Sequence, residues 1–322
     1  MIVLSMSLRV LITFLLAAAA TWVAPVHAET FPGKAVRIIV PFPPGGTQDL
    51  LARTLAEGLG QRLKQPVIVE NRAGAAGNVG AEALARATPD GYTLGILSGV
   101  QSANAAFYRK LNYNLERDFV PVRAIGESGV LLVAAPHAPF RNVEELLAYA
   151  KANPGRANFG STTSLTIDLL RSMTGADITM VTYKGIGEAL QDAIGGRIEM
   201  VAGPAPQLIP LIRDGKVRAL GIASTSRLKD LPGVKTVAES VPGYDAGMWY
   251  GVFAPAATPR EVVQKLQGEL GMVVKQADVV RRFNDIGVQA SGPGATADLP
   301  TRMQVESARW RAVAARTGNY AN

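Results

Sequence analysis

Cysteine is absent from this 322-residue sequence, and histidine occurs only at His27 and His137. Disulfides, thiol nucleophiles and Cys/His zinc sites are thereby excluded. No Gly-Lys-Ser/Thr follows a glycine cluster, which removes a Walker-type phosphate loop. Ser98 does not sit in a Gly-x-Ser-x-Gly elbow, so nothing marks it as a nucleophile. His137 lies between Pro136 and Pro139 and reads as a solvent-facing loop residue. Aromatic residues make up 6% of the chain and do not interleave with the scattered Lys and Arg. The net charge of +7 therefore favours meeting anions without forming a nucleic-acid surface. No catalytic residue, metal or cofactor is expected.

The single long apolar run is at the start. Arg9 supplies a positive n-region, Val10 to Ala20 an apolar stretch, and Val26-His27-Ala28 the small, spacer, small pattern of a signal-peptidase site. The run is broken by Thr13, Thr21 and Pro25, and falls short of the roughly 20 residues that span a bilayer. Cleavage after Ala28 is expected, giving a periplasmic protein that folds without disulfides.

Beyond it, short apolar strands alternate with helical periodicities. Val36 to Val40 is followed by a helix beginning at Leu50, then by Val67 to Val69, a glycine-rich turn, a helix around Ala81 to Ala87 and a strand from Tyr92 to Leu97. This alternation predicts a parallel sheet covered on both faces. It restarts after Val130 to Val133, with a helix from Val143 to Ala152 and strands at Ala157 to Phe159, Ile178 to Val181, Ile198 to Ala202 and Val217 to Ala223. After Trp249 to Pro255 the chain is read as wholly helical, with Pro259 at a helix start. Those helices are expected to pack on the first sheet. The chain then leaves one lobe near Pro121 to Ile125, builds a second, and returns near Trp249, so residues 1–28 form the signal, 29–125 plus 248–322 one lobe and 126–247 the other.

Three strand-to-helix turns carry candidate chemistry. In Pro41-Phe42-Pro43-Pro44-Gly45-Gly46-Thr47-Gln48-Asp49, the glycines let a ligand approach the backbone, and Thr47 can cap a helix whose free N–H groups favour an anion. A side chain at Gly46 is expected to block that approach or force an unfavourable backbone angle. Asp49 beside an anion repels it, unless it orders a water, binds a ligand amine or serves the helix dipole. A purely structural turn accounts for the same residues. Gly74 to Gly80 has the spacing G-x-x-G-x-x-G and is separated from its strand by Glu70-Asn71-Arg72, so it is no dinucleotide fingerprint but a second ligand-facing or structural turn. In the second lobe, Ser161, Thr162, Thr163 and Ser164 either hold a carboxylate or simply cap a helix. Tyr183-Lys184-Gly185 ends a later strand and can reach the cleft.

Together these segments resemble receptors of the Bug type, the binding components of tripartite tricarboxylate transporters. The resemblance rests on Phe31-Pro32, the runs from Val40 to Arg53 and Val69 to Gly80, Pro89 to Leu94, Tyr183-Lys184-Gly185, Leu231 to Glu239, and Trp249 to Pro259, in family order. It implies an α/β type II periplasmic-binding-protein fold, a Venus flytrap of two lobes joined by two crossover segments. It also implies a non-enzymatic, monomeric receptor that captures a small organic acid and delivers it to membrane permease subunits. Carried onto this sequence, the carboxylate site falls on Pro43, Pro44, Gly45, Gly46, Thr47 and Asp49, with Gly77, Asn78 and Ser98 as neighbours. Ser161, Thr162, Thr163 and Tyr183 face them. The second-lobe loop at 160–164 is several residues shorter than the family pattern and lacks its histidine, and Ala202-Gly203-Pro204 stands where an acidic residue is common. Two other readings keep the same lobes: a sensor docking to a membrane signalling protein, since both read the same closure, and a periplasmic enzyme.

Overall fold

A computed structural model describes residues 31–161, 165–183, 185–224, 226–228, 230–292 and 294–317. The expected cleavage after Ala28 and the candidates Thr162 and Thr163 lie outside them. The unit described below is Lys34–Asn322.

Two sheets organise it. The first takes strands β1 (Val36–Val40), β2 (Val67–Asn71), β3 (Thr93–Ser98), β4 (Phe119–Ser128), β10 (Met248–Pro255) and β11 (Gln289–Ala290), in the order β11-β4-β10-β3-β1-β2. The second takes β5 (Val130–Ala134), β6 (Ala157–Ser161), β7 (Ile178–Thr182), β8 (Met200–Pro204) and β9 (Arg218–Ile222), in the order β7-β6-β8-β5-β9. Strands β1, β2 and β3 pair in parallel, as do β6, β7 and β8. The expectation of purely parallel sheets needs correction: β10 runs antiparallel to both β3 and β4, and β5 antiparallel to β8 and β9. These are the strands that carry the chain out of one sheet and back into it. A returning strand inserted mid-sheet needs no crossover helix and is free to run the other way.

Strands β1 and β3 are buried almost throughout because helices cover both faces, which is why each reads as a continuous apolar run. Helices α1 (Thr47–Leu63), α2 (Asn78–Ala85) and α3 (Gly99–Phe107) follow β1, β2 and β3. In the second sheet, α4 (Val143–Ala152) starts where Asn142 accepts a hydrogen bond from Glu145 N at 2.8 Å, with Glu144 and Glu145 in its first turn. Helices α5 (Leu165–Thr174), α6 (Ile186–Ile194) and α7 (Ala205–Arg213) complete that half. After β10 come α8 (Arg260–Val273), α9 (Ala277–Asp285) and α10 (Ala295–Thr317).

The stretch from Pro121 to Ile125 is not a bare crossing. It belongs to the ten-residue β4, which pairs with β10 from Phe119 to Ser128, so the passage between sheets falls at Gly129. The C-terminal part is not wholly helical either, since β11 adds two residues to the edge of β4. Nor do its helices pack on the first sheet alone. Along α10, Leu299 and Met303 enter the core around Trp249 and Phe253, while Trp310 and Val313 enter the core of the second sheet. Trp310 meets Phe107 of α3 with ring centroids 6.1 Å apart, and Arg316 donates to Ser172 O of α5 at 2.9 Å. Its buried Glu306 accepts from Trp249 Nε1 at 2.7 Å, and Arg302 donates to Glu127 at 2.6 Å. One helix thus ties both sheets and both crossover strands.

Candidate functional site

The first loop leaves β1 at Val40 and enters α1 at Thr47, at the carboxyl ends of parallel strands where open α/β sheets bind ligands. Pro43, Pro44, Gly45 and Gly46 are exposed. The left-handed backbone is at Gly45, with φ +83°; Gly46 has φ −76° and ψ 165°, ordinary for any residue. A Cβ on Gly46 meets only Pro43 O, at 3.6 Å. The expected backbone strain at Gly46 is therefore misplaced by one residue, while the room there for a side chain stands. Gly46, not Thr47, is the N-cap, and it has no side-chain hydrogen bond to spend on the helix. Thr47 is the first helical residue and is half-buried.

Asp49 is 2% exposed and turned back into the loop. Its carboxylate accepts from Gly45 N at 2.9 Å, Arg53 Nε at 3.0 Å and Asn71 Nδ2 at 2.9 Å, and Asn71 Nδ2 also donates to Phe42 O at 3.0 Å. Burial by itself raises its pKa, but the hydrogen bonds from Arg53, Gly45 and Asn71 outweigh burial and hold it below the ordinary value. The carboxylate fixes the shape of the loop that the glycines leave free.

The second turn is packed onto the first. Gly77 has φ +89°, and a Cβ there lies 2.9 Å from Gln101 Nε2 and 3.0 Å from the Phe42 ring. Asn78 opens α2 and is 8% exposed; its Oδ1 accepts from Asn104 Nδ2 and from Tyr113 OH, each at 2.8 Å. Burial pushes the Tyr113 hydroxyl well above its usual pKa, so it stays protonated and donates. The third turn is closed by Ser98, fully buried and the N-cap of α3. Ser98 Oγ accepts from Val100 N at 3.3 Å, and Gln101 Oε1 accepts from Ser98 N at 2.8 Å, a reciprocal capping box. Gln48 Nε2 donates to Ser98 Oγ at 2.8 Å, joining the first turn to the third.

Seven of the thirteen candidates thus stand on two adjoining turns, Asn78 and Ser98 are their buried supports, and Ser161 and Tyr183 belong to the other sheet. Ser161 ends β6 and is 6% exposed, with Oγ 3.5 Å from Ala202 O. Tyr183 N donates to Ser161 O at 3.0 Å, and Tyr183 OH donates to Asp192 at 2.8 Å. Its pKa is raised, by burial first and then by the Asp192 hydrogen bond. Gln48, Asn71, Gln101 and Asn104 were missed from the sequence. Gln101 alone carried a readable signal, the Ser-x-x-Gln spacing from Ser98. Among the described residues, no group of three His, Asp or Glu is placed to hold a metal ion, and His137 is exposed.

A profile of the tripartite tricarboxylate transporter family receptor, TctC, matches residues 51–318. The chain belongs to this receptor family. The receptor is 36% identical over 310 residues to the protein BugT of Bordetella pertussis, a match covering 92% of this chain and 93% of BugT. Among solved structures it is similar to MatC from Rhodopseudomonas palustris with bound malate, at 34% identity and a TM-score of 0.74 over 88% of this chain and 99% of MatC. It is similar as well to an R. palustris protein solved with adipate, at 32% identity and a TM-score of 0.75, covering 89% and 98% of the two chains. The receptor has the two-sheet α/β periplasmic-binding-protein fold of these relatives, and is a periplasmic solute-binding component of a transporter rather than an enzyme.

Proposed function

We propose that this receptor captures a small organic carboxylate between its two sheets and delivers it, as a monomer, to the permease subunits of a tripartite transporter. The observation that carries this reading is the first loop. Gly46 supplies no capping side chain, so the first N–H groups of α1 receive no side-chain cap, and Asp49 is turned away into the loop, where it takes up Gly45 N. An anion met there gains from the free N–H groups and the positive end of the helix dipole. Relatives solved with malate and with adipate support a carboxylate over other anions. In this reading Pro43 to Thr47 touch the carboxylate, Gly77, Asn78 and Ser98 shape the pocket beside it, and Ser161 to Thr163 and Tyr183 close from the other sheet. Closure is a rotation about the passages at Gly129 and Gly247.

A thermal-shift screen of mono- and dicarboxylates, malate and adipate among them, tests it. A bound acid at a hundredfold excess over its Kd adds about 2.7 kcal/mol of stability and raises the melting temperature. Gly46→Val is expected to melt like the wild type without ligand, because its Cβ meets nothing close, and to lose the ligand-induced rise. Chemical conversion of the bound acid, or an undiminished rise in Gly46→Val, is incompatible with the proposal.

A further inference from the structure

Resting on that reading, we infer that Arg53 sets the charge of the first loop, offsetting Asp49 so that an anion can settle at the start of α1. The loop poses a physical problem. Asp49 is the third residue of α1 and 2% exposed, so a fixed carboxylate stands in the very turn whose N–H groups are assigned to the ligand. Against the pull of burial, hydrogen bonds from Arg53, Gly45 and Asn71 keep its pKa below the ordinary value, and it is ionised at neutral pH. A carboxylate there draws on the same positive helix end as the ligand and repels it. Being buried, it is poorly screened by salt.

Among the described residues its one ion pair is with Arg53, whose Nε lies 3.0 Å from Asp49 Oδ2. The same oxygen accepts from Gly45 N at 2.9 Å, so the guanidinium stands within two hydrogen-bond lengths of the loop backbone. Arg53 reaches one side chain further, donating from Nη2 to Asn71 Oδ1 at 3.3 Å. The direction of that amide is fixed, because Asn71 Nδ2 donates to Phe42 O, which only accepts. The guanidinium thus spans Asp49 and Asn71, the two side chains that hold the loop.

The two members of the pair differ in what they meet. The Asp49 side chain is 3% exposed and that of Arg53 is 54% exposed. An ion pair with so open a member contributes little to stability. The field of that member nevertheless reaches an anion arriving from the same solvent. With a neutral residue at position 53, Gly45 and Asn71 still tie the loop, but its net charge is negative. With arginine there the two charges cancel, and the uncapped N–H groups and the helix dipole decide what binds. Arg53 is therefore a positioning residue, acting on the ligand through the charge it balances.

Isothermal titration of the receptor with malate, adipate or whichever acid of the thermal screen binds most tightly tests this, at about 0.02 M and about 0.5 M salt. Arg53→Gln keeps a donor for Asp49 and removes the charge. It is expected to melt near the wild-type temperature without ligand and to bind about five- to tenfold more weakly at low salt, the scale of one charge several ångströms away at a partly solvated site. At high salt the gap is expected to narrow to about twofold. Arg53→Lys keeps the charge and loses the fork onto Asn71, and is expected to stay within about threefold of the wild type at both salts. An Arg53→Gln variant that binds like the wild type overturns the inference and leaves the receptor reading intact. So does a loss that Arg53→Lys shares in full and salt does not change, the pattern of a purely structural tie. Failure of the wild type to bind any acid of the screen overturns the receptor reading itself.

Discussion

The candidate residues of the two sheets are held in opposite ways. On the six-stranded side, three loops are locked to one another: Asp49 holds Gly45 and Asn71, Gln48 holds Ser98, and Asn78 is held by Asn104 and Tyr113. On the five-stranded side, Tyr183 bonds locally, to Ser161 and to Asp192 nine residues on in α6. A pre-organised half costs little ordering when a ligand arrives, whereas a half held by local bonds is free to be tuned without disturbing its partner. On the proposed reading this is a division of labour, with the carboxylate met by the rigid half and variation left to the other.

The largest expected effect is at Asp49. Asp49→Ala strips the acceptor from Gly45 N and Asn71 Nδ2 inside a loop that has few other ties, and is expected to cost about 3 kcal/mol of stability together with carboxylate affinity. A urea midpoint equal to that of the wild type breaks the comparison. Because hydrogen bonding holds the Asp49 carboxyl below its ordinary pKa, its contribution is complete above about pH 4 and fades as the pH falls further. The same titration repeated on the acid side is therefore expected to narrow the gap between variant and wild type.

A far smaller effect is expected across the cleft. Tyr183→Phe removes one half-exposed hydrogen bond and leaves Asp192 its ion pair with Arg197 at 3.2 Å, so a loss of about 0.5–1 kcal/mol is expected. Urea unfolding of this variant sharpens the contrast if its midpoint moves only slightly; a shift as large as that of Asp49→Ala shows that the second half is locked as firmly as the first.

Much of this architecture was legible because local signals agreed with the tertiary outcome. Val143–Ala152 was read to the residue, since its apolar spacing, its Asn142 cap and its acidic first turn all point the same way. β4 was hidden by Pro121 and Arg123, which interrupt the apolar pattern of a strand. α7 was hidden by Pro206 and Pro210; the first sits in the opening turn, where no donor is needed, and only the second breaks the ladder. In the site, the glycine loop announced itself by composition. The amide network did not, because Gln48 and Ser98 are fifty positions apart and their pairing exists only once β1 and β3 lie side by side.

The placement of β10 between β3 and β4 bears on how the molecule comes into being. Every strand of the five-stranded sheet lies in one unbroken stretch, from Val130 to Ile222, whereas Ser98 must wait for Tyr250 before the centre of the other sheet can close. Contacts between near neighbours in sequence form sooner than those that close long loops. The contiguous sheet is thus expected to assemble first and to act as a bracket that brings Met248 back toward Ser128. Pulsed hydrogen exchange during refolding is expected to protect the amides of β5, β6 and β8 before those of β3 and β10, and the reverse order rules this sequence of events out.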